Sequence, residues 1–227
     1  MNKKVGIIVS ARIDSSRLPG KALKLIQGKP MLEFLLLRLR ESQIINEFIF
    51  ATTKRENDDS LSDLAIRCKY KVFRGSTNNL IDRYVGAAKR YNLDAVIRVT
   101  GDCPFVNGEM IDFCLNRIKN RKFDLASTKG LFPKGLDIEI YNCSIMERIS
   151  SSELLSEDDK EHLTLFFYKN IKKYNILYIK PPSKWVGALS YTVDTPEDYK
   201  NIVKIANNFA NPCFSIDEIV NLENHDY

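Results

Sequence analysis

The sequence predicts an α/β domain on a mostly parallel sheet with helices on both faces, and three observations carry that reading. Short β-branched apolar runs alternate with segments whose apolar residues recur at helical spacing through the first hundred positions, the pattern of successive βαβ units. The chain has 227 residues, 44% apolar and 28% charged, the make-up of a folded domain able to bury a full core. No repeat, low-complexity tract or linker divides it, so 1–227 reads as one domain.

Val5-Gly6-Ile7-Ile8-Val9 is apolar, β-branched and bounded by polar residues, and predicts a buried strand. A loop follows to Pro30. Apolar residues at 31, 32, 35, 36 and 39 then form a helical stripe. Residues 47–52 read as a strand, and Leu61, Leu64, Ala65 and Cys68 sit at helix spacing. Strand 70–73, helix 80–91, strand 95–99 and helix 110–118 continue the alternation. Strands are then expected at 124–128 and 136–141, a helix over 158–168, and strands at 176–179 and 189–193. Helices at 196–206 and 216–222 close the chain. Thr195-Pro196-Glu197-Asp198 supplies an N-cap, a proline at the first helical position and an acidic residue two further on.

The segment from about 123 to 185 interrupts the alternation and reads as a β-rich insertion or arm. Its Phe132, Tyr141, Phe166, Phe167, Tyr168 and Trp185 exceed what a small arm buries on itself. An exposed patch of that kind marks an interface, so a homodimer through the arm is expected.

The charge balance is 34 − 29 = +5 with both histidines neutral. That suits an anionic small ligand and not nucleic acid, for which basic clusters are expected. The longest apolar run, 34–37, ends at Arg38, far short of the roughly 20 residues of a membrane span. Arg12, Asp14 and Arg17 arrive too soon for a secretory signal, and a cytoplasmic protein is expected. Cys68, Cys103, Cys114, Cys143 and Cys213 are odd in number and scattered, which predicts neither a disulfide framework nor zinc. Asn142-Cys143-Ser144 matches a glycosylation sequon that carries no meaning without secretion.

The loop after the first strand, Ser10-Ala11-Arg12-Ile13-Asp14-Ser15-Ser16-Arg17-Leu18-Pro19-Gly20-Lys21, stands where open α/β sheets bind ligands. Arg12, Arg17 and Lys21 suit a polyphosphate, because guanidinium forks match phosphate oxygens and an ammonium adds a point charge. Pro19-Gly20 reverses the chain so that Lys21 folds back over the loop. Neither G-x-G-x-x-G nor G-x-x-x-x-G-K-[ST] occurs, so a Rossmann dinucleotide site and a P-loop are both unsupported. A solvated basic loop is the alternative.

Asp102 follows the strand at 95–99 through Thr100-Gly101, and Asp194 directly follows the segment 189–193. Two carboxylates at strand ends can share a hard divalent cation with phosphate oxygens and water. Each can equally be a turn cap. Cys103 reads as a packing residue beside Asp102.

The pattern A-R-x-x-S-S-R-L-P-G-K with Gly28-Lys29-Pro30 resembles the opening of the cytidylyltransferases that activate acidic sugars, the 3-deoxy-manno-octulosonate and acylneuraminate cytidylyltransferases. It looks closest to the spore coat polysaccharide biosynthesis protein F branch. Asn79-Leu80-Ile81-Asp82-Arg83-Tyr84, Arg98-Val99-Thr100-Gly101-Asp102-Cys103-Pro104, Lys134-Gly135-Leu136-Asp137-Ile138-Glu139, Glu161-His162-Leu163-Thr164 and Tyr191-Thr192-Val193-Asp194-Thr195-Pro196-Glu197-Asp198 match that branch in order, over residues 5–203. The resemblance implies a Rossmann-like nucleotide-diphospho-sugar transferase fold and transfer of CMP from CTP to an acidic sugar or related anionic acceptor, with release of pyrophosphate, in surface polysaccharide or glycoconjugate biosynthesis.

It also implies roles. Asp102 and Asp194 hold Mg²⁺, with Asp102, Arg12, Arg17 and Lys21 catalytic. Ser10, Ala11, Gly75 and Ser76 frame the base, with Asp82 and Arg83 beside the nucleotide or on an ordinary helix surface. The expected acceptor residues are Arg98, Lys134, Asp137, Glu139, His162 and Trp185. Arg98 can instead bury its stem against a helix. His162 can be structural, Asp137 and Glu139 can pair with Lys134, and Trp185 can serve a dimer arm. Two other readings compete. One is a glycosyltransferase of related fold using Asp137-Ile138-Glu139 as its metal motif; the other is a catalytically silent nucleotide-binding homologue.

Overall fold

The computed structural model describes residues 3–226. In chain order the strands are β1 (Val5–Ser10), β2 (Leu25–Ile26), β3 (Lys29–Pro30), β4 (Glu47–Thr53), β5 (Lys71–Gly75), β6 (Ala95–Thr100), β7 (Leu125–Ser127), β8 (Glu139–Asn142) and β9 (Ile176–Tyr178). The helices are α1 (Met31–Leu39), α2 (Asp59–Arg67), α3 (Leu80–Arg90), α4 (Gly108–Ile118), α5 (Cys143–Ser150), α6 (Glu157–Glu161), α7 (Leu165–Lys169), α8 (Pro196–Ala206) and α9 (Ile216–Asp226). Seven strands form one sheet in the order β5-β4-β1-β6-β8-β7-β9. Its first four strands are parallel, β8 runs against both neighbours, and β7 pairs with β9 in parallel. The carboxyl ends are level: Ser10 pairs with Ala51 on one side and Thr100 on the other.

Strand periodicity separates two cores. Ile7, Val9, Phe48, Phe50, Ile97 and Val99 pack on one face with Leu35 of α1, Ile111 of α4 and Ile202 of α8. Ile8, Ile49, Ala51 and Val96 point the other way, onto Tyr84 of α3, Met146 of α5 and Phe167 of α7. Among the described residues, no helix is long and apolar enough to cross a membrane.

Apart from the segment expected as a loop up to Pro30, which holds the β2-β3 hairpin, the first half follows the expectations within a residue or two, and the second half departs from them. The expected β-rich arm does not exist as a separate unit, because β8 pairs onto β6 and brings β7 and β9 into the main sheet. Of the aromatics that suggest a dimer patch, Phe132, Tyr141, Phe166, Phe167 and Trp185 are all 8% exposed or less, and Tyr168 is half-buried with its hydroxyl on Glu139. They therefore give no reason to expect an interface. The helix expected at 158–168 is two helices, α6 and α7, broken at His162-Leu163-Thr164. Helix α5 begins at the sequon cysteine, where a strand-like sequence turned directly into helix gives no turn signal. Residues 189–193 form no ladder. They are held by single backbone bonds, Tyr191 N–H to Lys134 O at 2.7 Å and Val193 N–H to Asp102 O at 2.8 Å. β6 already carries β1 and β8 on its two edges, so the extended segment lies over loops.

Arg38, expected to end an apolar run, is itself fully buried. It donates to Pro212 O and to Phe105 O, and its guanidinium lies 4.1 Å from the Phe214 ring centroid. Burial without a carboxylate partner lowers its pKa to about 10.

Candidate active site

The loop from Ala11 to Gly20 is anchored from the end of β4. Thr52 Oγ1 donates to Ala11 O at 2.8 Å, Ile13 N–H donates to Asp58 Oδ1 at 2.8 Å, and Arg55 pairs with Asp14. Asp58 is fully buried and also accepts from Thr53 Oγ1. Burial alone raises its carboxyl, and these donors, with Arg55 nearby, outweigh that and hold it below its usual range. Gly20 adopts a φ of 67°, in the left-handed region, and the next residues turn once as a 3-10 helix, Lys21–Leu23. The turn aims Lys21 back across the sheet edge, as the Pro19-Gly20 signal predicts.

Gly101 serves close approach, not an unusual turn. A Cβ there would stand 2.7 Å from Ala11 Cβ and 3.0 Å from Ser10 O. Its absence lets the loop carrying Asp102 lie against the first loop. Gly135 (φ 85°) does the same for the other wall, since a Cβ would come within 2.4 Å of the Tyr191 carbonyl carbon. The segment before Asp194 can thus press onto the Lys134-Gly135 turn.

These approaches converge on Lys21. Its Nζ lies 3.2 Å from Asp102 Oδ2, 3.1 Å from Asp194 Oδ1 and 2.7 Å from Val193 O. Arg17 adds a second cation, 3.0 Å from Asp194 Oδ1. Burial by itself pushes the Asp102 carboxyl up; Lys21 and hydrogen bonds outweigh it and hold the group ionised, below its ordinary value. The side chain of Asp194 caps nothing. The α8 cap is a reciprocal box between Thr195 and Asp198, whose carboxylate also accepts the Asp194 N–H at 3.0 Å. Two carboxylates converging on one positively charged atom offer the hard oxygen donors that a divalent cation needs, with Lys21 Nζ now in the position of counter-charge.

Two cavities open here. One of about 310 Å³ is lined by the first loop, Lys21, Thr100, Gly101, Asp102, Asp194 and Glu161. The other, about 350 Å³, is lined by Ser10, Ala11, Arg12, Thr77, Asn78, Leu80, Arg83, Glu157 and Glu161. Ser10, Ala11, Arg12 and Glu161 belong to both. Arg83 is buried and fixes the rim, donating from Nε to Ser76 O at 2.8 Å and from Nη2 to Thr77 O at 3.2 Å.

Of the residues expected around the nucleotide, Ser10, Ala11, Arg12, Arg17, Lys21, Arg83, Asp102 and Asp194 stand together. Gly75 and Ser76 do not line the second cavity; Thr77 and Asn78, the next residues along, do. Asp82 is exposed on α3 and lines neither cavity.

The expected acceptor residues are not assembled. Arg98 is paired with Glu139, which also accepts from Thr164 Oγ1 at 2.8 Å and Tyr168 OH at 2.7 Å. This buried network ties β6, β8 and α7. Asp137 accepts the Gly135 N–H at 3.0 Å, and its burial raises its carboxyl. Neither carboxylate pairs with Lys134, and the two do not make a metal motif. Trp185 is a core residue, 4.9 Å from the Phe113 ring, with its indole N–H on Asp217. Lys134 and His162 are exposed and line neither cavity. Sequence reasoning missed Asp58, Thr77, Asn78, Glu157 and Glu161 as residues of the site. The Thr52-Thr53 pair ending a strand five residues before Asp58 is the one local signal for the first.

A family model described as cytidylyltransferase matches residues 6–221. The chain belongs to the cytidylyltransferase family. It is 30% identical over 223 residues to the spore coat polysaccharide biosynthesis protein SpsF of Bacillus subtilis, covering 96% of this chain and 92% of that protein. A cytidylyltransferase structure from Leptospira borgpetersenii superposes with a TM-score of 0.91 at 31% identity, covering 97% of this chain and 94% of that one. The fold is shared with a CMP:2-keto-3-deoxy-manno-octonic acid synthetase solved with CTP, at a TM-score of 0.70 and 19% identity over 90% of this chain and 99% of that one. The protein is thus a CTP-dependent nucleotidyltransferase, and the silent and glycosyltransferase readings fall away.

Arg17 and Lys21 are cations of this loop that a bound polyphosphate would meet. Arg17→Ala and Lys21→Ala are each expected to remove a charge-assisted contact worth about 1.5–3 kcal/mol, or about one to two decades in kcat/KM for CTP. Steady-state kinetics check this; wild-type values in both variants would place the phosphates elsewhere.

Proposed function

We propose that this cytidylyltransferase joins CMP to a hydroxyl of a sugar-like acceptor. The acceptor oxygen attacks the α-phosphorus of CTP, the bond from that phosphorus to the β-phosphate bridging oxygen breaks, and pyrophosphate leaves. The hydroxyl proton passes to solvent. The convergence of Lys21, Arg17, Asp102 and Asp194 at the carboxyl edge of β1 and β6 carries this reading. Arg12, Arg17 and Lys21 neutralise the triphosphate and the departing pyrophosphate, so catalysis is positioning plus electrostatic stabilisation. Asp102 and Asp194 are the residues that would hold Mg²⁺, which supplies charge neutralisation of the phosphate oxygens. Similarity to a spore coat polysaccharide protein supports a place in surface polysaccharide synthesis, from the cytoplasmic CTP pool.

The base lies in the cavity framed by the Ser10-Ala11 and Thr77-Asn78 backbones, whose carbonyls and amides can read a pyrimidine edge. A purine edge offers those backbone groups a different pattern of donors and acceptors. Titration in the presence of Mg²⁺ should show CTP binding at least about tenfold tighter than ATP, about 1.4 kcal/mol. Equal affinities would refute the cytosine pocket.

A further inference from the structure

Arg12, Arg17 and Lys21 all take their places relative to one residue, Ile13. It follows Arg12, and its carbonyl accepts the Gly20 N–H at 3.1 Å. That bond closes the loop at its neck. Arg17 lies inside the closed stretch, and Lys21 leaves it directly after Gly20. The N–H of the same Ile13 donates to Asp58 Oδ1 at 2.8 Å, across 45 positions of sequence. The two oxygens of Asp58 divide their partners. Oδ2 serves its own segment, accepting from Thr53 Oγ1 and lying 3.7 Å from Arg55 Nη2. Oδ1 is turned to Ile13. Asp58 also stands at the N-cap of α2, where an aspartate ordinarily accepts an N–H of the first helical turn. Its side chain makes no such bond. The carboxylate is fully buried and faces the loop instead. A separate anchor, Thr52 Oγ1 on Ala11 O at 2.8 Å, holds the chain on the other side of Arg12, where Ala11 lines the base cavity.

We infer that Asp58 is a positioning residue: by holding the Ile13 N–H it sets where Arg12, Arg17 and Lys21 stand, and so how tightly the enzyme grips the triphosphate. The inference rests on the cytidylyl-transfer reading, which gives those three cations to the phosphates. Asp58 acts from outside, since it lines neither cavity. An N–H held by a carboxylate is bound more firmly than one held by a neutral oxygen, and away from water that difference is kept. A loop fixed in advance spares the ligand the cost of ordering it. Without the bond, the triphosphate must order the neck of the loop as it binds, and its affinity falls by that cost. The base cavity does not draw on this bond. Thr52 fixes Ala11, and Arg83 fixes the rim through Ser76 O and Thr77 O. Loss of Asp58 therefore acts on the phosphate end of the nucleotide and spares the base end.

The test compares CTP and CMP binding, by calorimetry with Mg²⁺, in wild type, Asp58→Ala and Asp58→Asn, alongside hydrogen exchange of the segment 12–21. Asp58→Ala should weaken CTP by about tenfold or more and CMP by less than about threefold, with faster exchange over 12–21. Asp58→Asn should fall between it and wild type. Its amide keeps an oxygen for Ile13 but sets an NH₂ group against Thr53 Oγ1, which already accepts from the Arg55 N–H and Nε. Should Asp58→Ala fail to fold, Asp58→Asn decides alone: a fall of about threefold or more in the ratio of CTP to CMP affinity supports the inference, and an unchanged ratio overturns it. Equal losses for CTP and CMP would overturn it too, as the mark of a merely structural residue. So would faster exchange over 12–21 with CTP affinity unchanged, since the loop would then be loosened without consequence for the phosphates. A wild type that binds CTP no tighter than CMP is a different failure, because it removes the phosphates from this loop and takes the cytidylyl-transfer reading of the site with it.

Discussion

Asp102→Asn and Asp194→Asn should each fold normally and lose turnover by at least about a hundredfold, the usual effect of removing one electrostatic stabiliser. The double variant should be little worse than either single one, because groups that hold one ion act as a unit. Asparagine keeps the size and most of the hydrogen bonding and removes only the charge. It therefore separates a metal site from a turn cap, where asparagine is a good replacement. The structure already weakens the cap alternative for Asp194, whose carboxylate contacts Arg17 and Lys21 while Thr195 and Asp198 cap α8. Mn²⁺ should restore part of the activity, being bound more tightly by a weakened oxygen site. Steady-state kinetics over a CTP and metal matrix decide the matter. Near-normal rates in Asp194→Asn would leave Asp102 as the sole metal ligand.

Glu139→Ala should cost about 3–5 kcal/mol of stability, because it strands Arg98 as a buried cation without a partner. Glu139 is 2% exposed and takes Arg98, Thr164 and Tyr168 on its two oxygens. Burial works to raise its carboxyl; Arg98 and the two hydroxyl donors outweigh burial and hold it below the usual value. The sign of the pH effect follows. A carboxyl depressed in the folded state contributes stability that is fully present above its unfolded pKa, about 4.3, and is lost as pH falls through the lower folded value. Wild type should therefore lose stability below about pH 4 more steeply than Glu139→Gln, which has no carboxyl to protonate there. Urea unfolding across pH 3–7 measures both effects. A change within about 0.5 kcal/mol in Glu139→Ala, the range of an ordinary surface substitution, would remove this network from the account of how α7 is tied to β6.

The same pair shows where reading a sequence stops. Arg98 and Glu139 stand 41 positions apart, and only the antiparallel entry of β8 beside β6 sets them opposite each other. Nothing local distinguishes a strand that joins the main sheet from one that builds an arm, since both alternate in the same way. Hence the 123–185 segment reads as an insertion and its aromatics as a patch, although its strands complete the sheet and most of its rings fill the core.

What the sequence determined by itself is local or periodic. The βα alternation up to Thr100 follows from apolar spacing. The turn at Gly20 follows from a residue able to take a positive φ, and the α8 cap from Thr195, Pro196 and Asp198. The position of the first loop beyond a strand end identified its cations, because parallel sheets place such loops together. What the tertiary structure alone decided is which charges meet. Lys21 reaches Asp194 across 173 positions, and Glu161 comes to a wall shared by two cavities. The close approach at Gly135 brings the segment before Asp194 against its turn, and Arg98 is paired with Glu139. Charge is written in the chain residue by residue. Its pairing depends on distances of a few ångströms between segments far apart in sequence, and packing sets those distances.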